Sequence, residues 1–128
     1  VTPDSLGLQL LVASPARAGQ AVRFTMRVQN VTARPLDVYL RGRESTFDVV
    51  VARPGGDVVW RRLEGETIPA IVHIRTLAPS ERFELVAEWD QRTKQGTRVP
   101  PGEYTVRGLL LVEGEALATP AQTFHVER

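Results

Sequence analysis

Apolar residues recur at every second position through most of this chain, and that period constrains the fold more than any other feature. Val22, Phe24, Met26 and Val28 alternate with Arg23, Thr25, Arg27 and Gln29. The pattern returns at Leu6, Leu8, Leu10 and Val12, at Leu36, Val38 and Leu40, and at Phe83, Leu85, Ala87 and Trp89. It returns again at Tyr104, Val106, Gly108, Leu110 and Val112, and at Phe124 and Val126. Successive side chains of a strand point to opposite faces, so alternation sends one set to a core and the other to water. Antiparallel sheets with one wet face read this way. No stretch carries a helical period of useful length.

Turn chemistry separates these runs. Ser14-Pro15 and Ala18-Gly19 follow the first run, and Thr32, Arg34 and Pro35 break the second from the third. Pro54-Gly55-Gly56-Asp57 lies between Phe47 to Ala52 and Val58 to Arg61 and predicts a hairpin, because glycine supplies the positive φ of a tight turn. Ala78-Pro79-Ser80-Glu81 and Pro100-Pro101-Gly102 are further turns. Residues 64–76 read as a short irregular crossover. Together these signals predict an all-β fold, an immunoglobulin-like antiparallel β-sandwich of about seven to eight strands. The 128 residues suit one domain over 1–128, with no repeat and no interdomain linker.

Charge narrows the function. Sixteen basic and fifteen acidic residues leave a net charge of +1, which gives no long-range pull toward phosphate or anionic lipid. The basic residues are nearly all arginine and are spread along the chain; Arg41 with Arg43, and Arg61 with Arg62, sit beside Glu44 or Glu64. Neither a nucleic-acid partner nor membrane insertion is expected, since no apolar run approaches the length of a span. The absence of cysteine excludes disulfides, thiolate nucleophiles and cysteine metal sites.

Four segments in order resemble a known family. Phe24 to Asn30 is an aromatic-started strand ending in asparagine. Phe47-Asp48-Val49-Val50-Val51, a glycine turn and Val58-Val59-Trp60-Arg61 form a central hairpin. Leu77-Ala78-Pro79-Ser80-Glu81 leads to Phe83, and Trp89-Asp90, Gly96 and Pro101-Gly102-Glu103-Tyr104-Thr105-Val106 close the pattern. From about Leu6 to Val112 the chain resembles the bacterial intracellular proteinase inhibitors, the BsuPI family. The resemblance implies an immunoglobulin-like sandwich and, for the family's namesake, inhibition of a serine protease. It implies a cytoplasmic protein. Val1 in place of methionine instead suggests a removed upstream segment, either another domain or a signal peptide that would place the chain outside the cytoplasm.

Candidate site residues are few. Asp90 to Pro101 is the longest polar connection, and loops on rigid scaffolds carry binding residues. Within it Arg92, Thr93, Lys94, Gln95 and Arg98 are the expected partner-binding residues, with Thr97 and Val99 as further contacts. An inhibitor that mimics substrate would present this stretch as an extended loop, stiffened by Pro100 and Pro101, with a basic side chain for a trypsin-like pocket. The other reading is a solvated connection. His73 and His125 lie far apart in strand-like runs, and no serine elbow accompanies them, so no catalytic residue is expected. Asp48, Asp57 and Asp90 read as turn and loop structure rather than calcium ligands, and no metal or other cofactor is expected. Tyr104 after a proline-glycine corner reads as a tyrosine corner, and Trp89 as core. Asn30-Val31-Thr32 matches a glycosylation sequon but reads as the end of a strand.

The expected function is a non-catalytic protein-binding module of the proteinase-inhibitor type, acting through an end loop or a sheet edge. The alternative is a structural or adhesion-like accessory domain of a bacterial cell-envelope or multidomain protein. A carbohydrate-binding sandwich would require Trp60 to be exposed.

Overall fold

A computed structural model describes residues 5–13, 16–43 and 46–128. The Ser14-Pro15 turn and the placement of Glu44 lie outside the described residues.

Two sheets form the fold. The smaller contains β1 (Leu6–Val12), β3 (Val22–Asn30) and β8 (Arg82–Trp89), with β3 central and both pairings antiparallel. Val22, Phe24, Met26 and Val28 are buried, and Arg23 is exposed between them. The alternation in the sequence is thus the two faces of this sheet.

The larger sheet is organised on β9 (Gly102–Val112). One side of β9 pairs with β11 (Gln122–Glu127) and then β10 (Glu115–Ala118). The other side pairs with β5 (Phe47–Ala52) and, at its far end, β4 (Leu36–Arg41). Beyond these lie β6 (Val58–Arg61), paired with β5, and β7 (Val72–Leu77), paired with β4. The two-residue β2 (Ala16–Arg17) adds to β11 in parallel.

The all-β sandwich is the fold observed, with eleven strands among the described residues rather than seven or eight. The surplus comes from short edge pieces such as β2 and β10. It also comes from β7, which occupies the end of the stretch expected to be irregular. Val72, Ile74 and Thr76 are β-branched and alternate with His73 and Arg75, but both sets are exposed. Without a core face the alternation shows no contrast in hydropathy.

Aromatic rings concentrate the core at one end. Trp89 is fully buried, with Trp60, Tyr104 and Phe124 at 6.0, 6.1 and 6.4 Å between ring centroids. Phe24 lies 6.4 Å from Trp60 and 5.7 Å from Phe124. Trp60 is half-buried between Phe24 and Trp89, so one part of its ring is a core contact. Edge-to-face and offset pairs of this kind add about 0.5–1.5 kcal/mol each beyond their buried area.

Candidate functional site

The Trp89 ring supports the connection between β8 and β9. Its Nε1–H donates to the Arg92 carbonyl at 2.9 Å, fixing where the chain leaves the sheet. Asp90 accepts the Arg92 N–H at 3.0 Å, closing a local turn. Gln91 then adopts φ +64°, a conformation that costs a non-glycine residue roughly 1–2 kcal/mol. The surrounding structure holds Gln91 there, although its buried Oε1 meets no hydrogen-bond donor among the described residues. The Gln91 side chain is fully buried, and its Nε2 donates to the carbonyls of Arg17 at 2.6 Å and Gln20 at 2.8 Å. Gln91 anchors the connection to the turn after β2.

Beyond Gln91 the chain folds back on itself. Val99 N–H donates to the Gln91 carbonyl at 2.9 Å, Arg92 bridges Arg98, and Thr93 N–H donates to the Thr97 carbonyl at 2.7 Å. Gly96 N–H closes the tip on the Thr93 carbonyl at 2.9 Å, and Gly96 has φ +87°, where a side chain would be strained. The Arg92 guanidinium donates to the Gly96 carbonyl at 3.0 Å, and Thr93 Oγ1 accepts the Thr97 N–H at 3.2 Å.

The expected extended loop is therefore a closed hairpin. Its cross-strand hydrogen bonds hold its shape. Arg92, Lys94, Gln95 and Arg98 are exposed on it, and Thr93 is half-buried. Thr97 is exposed, but Val99 is buried and presents nothing to a partner. Lys94 Nζ lies 3.1 Å from a Glu64 carboxylate oxygen, so one candidate cation already has a partner on the domain.

The base of the hairpin continues into a corner. The Tyr104 hydroxyl donates to the Pro100 carbonyl while the ring packs among Trp89 and Phe124, as a tyrosine corner requires. Burial pushes the Tyr104 phenol above its ordinary pKa of 10.0, with Arg53 acting weakly the other way.

Asp48 and His73 are occupied by the backbone. Asp48 accepts the N–H groups of Val49 at 2.8 Å and Leu63 at 3.1 Å, holding the segment after β6 against β5. Arg62 beside it donates to the Phe47 carbonyl at 2.8 Å and lies 4.1 Å over the Phe47 ring. Burial lowers the Arg62 pKa, opposed by Asp48 and Glu66. His73 Nδ1 is 2.7 Å from the Gly42 carbonyl. His125 is exposed on β11, paired with Glu103. Among the described residues no three His, Asp or Glu side chains gather where they could hold a metal ion. Nor is any helix among them long and apolar enough to cross a membrane.

Two of the segments quoted for the family resemblance meet in space. Asn30 N–H donates to the Glu81 carbonyl at 2.9 Å, and Ser80 N–H donates to the Asn30 carbonyl at 3.1 Å. Ser80 has φ +68° after Pro79, the left-handed conformation that the third residue of a type II turn requires. Residues 11–115 match the intracellular proteinase inhibitor family, BsuPI. The chain belongs to that family.

All four quoted segments lie inside the matched BsuPI residues. No curated protein matches the chain. Among solved structures, the alkylpurine DNA glycosylase of Pseudomonas fluorescens, bound to DNA with an abasic site analog, aligns at 16% identity and TM-score 0.52. The alignment covers 97% of this chain and 31% of the glycosylase. The β-glucosidase of Listeria innocua, in complex with glucose, aligns at 11% identity and TM-score 0.52, covering 96% of this chain and 16% of the enzyme. β-Glucosidase 3B of Thermotoga neapolitana aligns at 23% identity and TM-score 0.50 over the same shares. At these identities the likeness is one of fold alone. The BsuPI domain spans under a third of each of those chains.

Proposed function

We propose that this BsuPI domain is a non-catalytic protein-binding module that inhibits a serine proteinase, with the hairpin of Arg92 to Arg98 as the contact surface. The family match over residues 11–115 carries the reading. The hairpin supports the choice of surface, because it is exposed at its tip and fixed at its base by Trp89 and Gln91. A preformed contact surface loses little conformational entropy on binding. A closed tip cannot lie in an active-site cleft as an extended strand does, so the hairpin would occlude the cleft instead of threading it. Lys94 and Gln95 at the tip would make first contact.

The test is titration of purified domain against subtilisin-like and trypsin-like proteinases. Stoichiometric inhibition, abolished when residues 93–96 are replaced by an unrelated turn, is the expected result. Inhibition that survives the replacement would remove the hairpin from the mechanism. No inhibition at micromolar domain would overturn the inhibitor reading.

A second reading has its own observation. The similar sandwiches in solved structures are portions of longer chains. A structural or adhesion-like accessory domain of a bacterial cell-envelope or multidomain protein would have the same architecture without inhibitory activity.

A further inference from the structure

Strand β7 is exposed along five consecutive residues, Val72 to Thr76, as no other strand among the described residues is. It pairs with β4 on one side and ends the larger sheet on the other. The hydrogen-bond register shows what its free edge offers. Gly42 N–H donates to the Ile71 carbonyl, and Glu113 N–H donates to the Tyr39 carbonyl, each at 2.9 Å. Even-numbered residues of β4 thus turn their backbone groups toward β7, and Tyr39 turns its own toward β9. Antiparallel partners alternate between bonded and non-bonded pairs, so Leu40 with His73 and Val38 with Arg75 are bonded. Tyr39 with Ile74 is a non-bonded pair, and the backbone groups of Val72, Ile74 and Thr76 point out of the sheet's edge.

The side chains set the chemistry of that edge. On the outer face Ile74 is 57% exposed and Val72 40%, with Tyr39 40% exposed beside Ile74. On the opposite face His73 and Arg75 are exposed, with the Arg75 guanidinium 4.0 Å over the Phe83 ring. Proline, lysine and bulges, which commonly block an edge, are absent from this strand. A second copy of the chain is a poor occupant. The antiparallel register that pairs β7 with itself along its length puts His73 opposite Arg75 and supplies no carboxylate. Cross-strand pairs of opposite charge stabilise a sheet, and such a dimer leaves Arg75 without one.

We propose that the β7 edge takes up an extended acidic segment of a partner protein as an added strand. Backbone hydrogen bonds run to Val72, Ile74 and Thr76. The segment's apolar side chains lie against Val72, Ile74 and Tyr39, and its carboxylates face Arg75 and His73. Strand addition of this kind takes affinity from the main chain and specificity from alternate side chains. The site shares no residue with the hairpin and stands whether or not a proteinase is inhibited.

The probe is a blocked peptide of β7's length alternating valine with glutamate, titrated into the isotope-labelled domain. Saturable amide shifts centred on Val72, Ile74 and Thr76 are expected. A peptide with lysine for glutamate should bind about threefold more weakly, the effect of reversing the cross-strand charge opposite Arg75. Ile74→Pro removes an N–H directed away from β4 and should abolish binding with little loss of folding. Equal binding of both peptides, shifts elsewhere, or none at millimolar peptide would overturn the proposal. So would dimerisation of the free domain that Ile74→Pro abolishes. Should that variant not fold, the peptide pair on the unaltered domain decides.

Discussion

The side-chain amide of Asn30, at the end of β3, donates to the carbonyl of Leu77, at the end of β7, at 3.0 Å and so ties the two sheets together. The same nitrogen reaches the carbonyls of Arg34 at 2.8 Å and Ala78 at 3.2 Å, while Oδ1 accepts from the Thr32 backbone and hydroxyl. Asn30→Ala leaves these buried groups without partners and should cost about 2–4 kcal/mol. Asn30→Asp turns an oxygen toward three carbonyls and should cost at least as much. Urea denaturation of both variants, with unchanged m-values, checks this.

Gln91 reverses the usual ranking of alanine and glycine in β structure. Either replacement loses the bonds to Arg17 and Gln20. Glycine alone relieves the strain at φ +64°, so Gln91→Gly should be more stable than Gln91→Ala by about 1 kcal/mol. Thermal melts of the two variants side by side give the sign directly.

Tyr104 predicts an alkaline limit. Its folded-state pKa is raised by burial, so folding holds the phenolic proton more tightly than the unfolded chain does. That contribution is fully present below pH 10.0, the unfolded value, and is lost as pH rises through the higher folded value. Tyr104→Phe removes the hydroxyl bonded to Pro100 and should cost about 1 kcal/mol at neutral pH. Above pH 10.0 that difference should shrink or reverse, because phenylalanine does not ionise. Guanidinium unfolding at neutral and alkaline pH separates the two effects.

Lys94 is a surface residue for stability and, on the proposed function, a contact residue for inhibition. Its pair with Glu64 joins two exposed side chains, so Lys94→Ala should change stability by less than about 0.5 kcal/mol. A tenfold or greater rise in the inhibition constant at unchanged melting temperature is the expected outcome. A parallel loss of both would point to a structural role for the pair.

The sandwich was legible because its central strands separate apolar from polar residues by position, as Phe24 and Met26 do against Arg23. The Pro54 to Asp57 turn and the tyrosine corner were legible through residues that only a few backbone conformations suit. The hairpin was placed but its shape was not, since the polar run of Arg92 to Arg98 reads alike whether extended or folded back. Gln91 gave no local signal, because its partners, Arg17 and Gln20, are remote in sequence. Strand β7 was missed for a different reason: a strand wet on both faces leaves no hydropathic trace, and only its β-branched residues marked it.

The four strands arrayed along β9 also set an order in time. During synthesis β1, β3 and β8 can complete the smaller sheet once Trp89 has emerged. The strands β4 and β5, made earlier than β8, must wait for Gly102 to Val112 to supply their shared neighbour. Until then the apolar run of Phe47 to Val51 has its hairpin with β6 but no second strand beside it. A nascent chain arrested between Trp89 and Gly102 should therefore be the form most prone to aggregate and most dependent on chaperones.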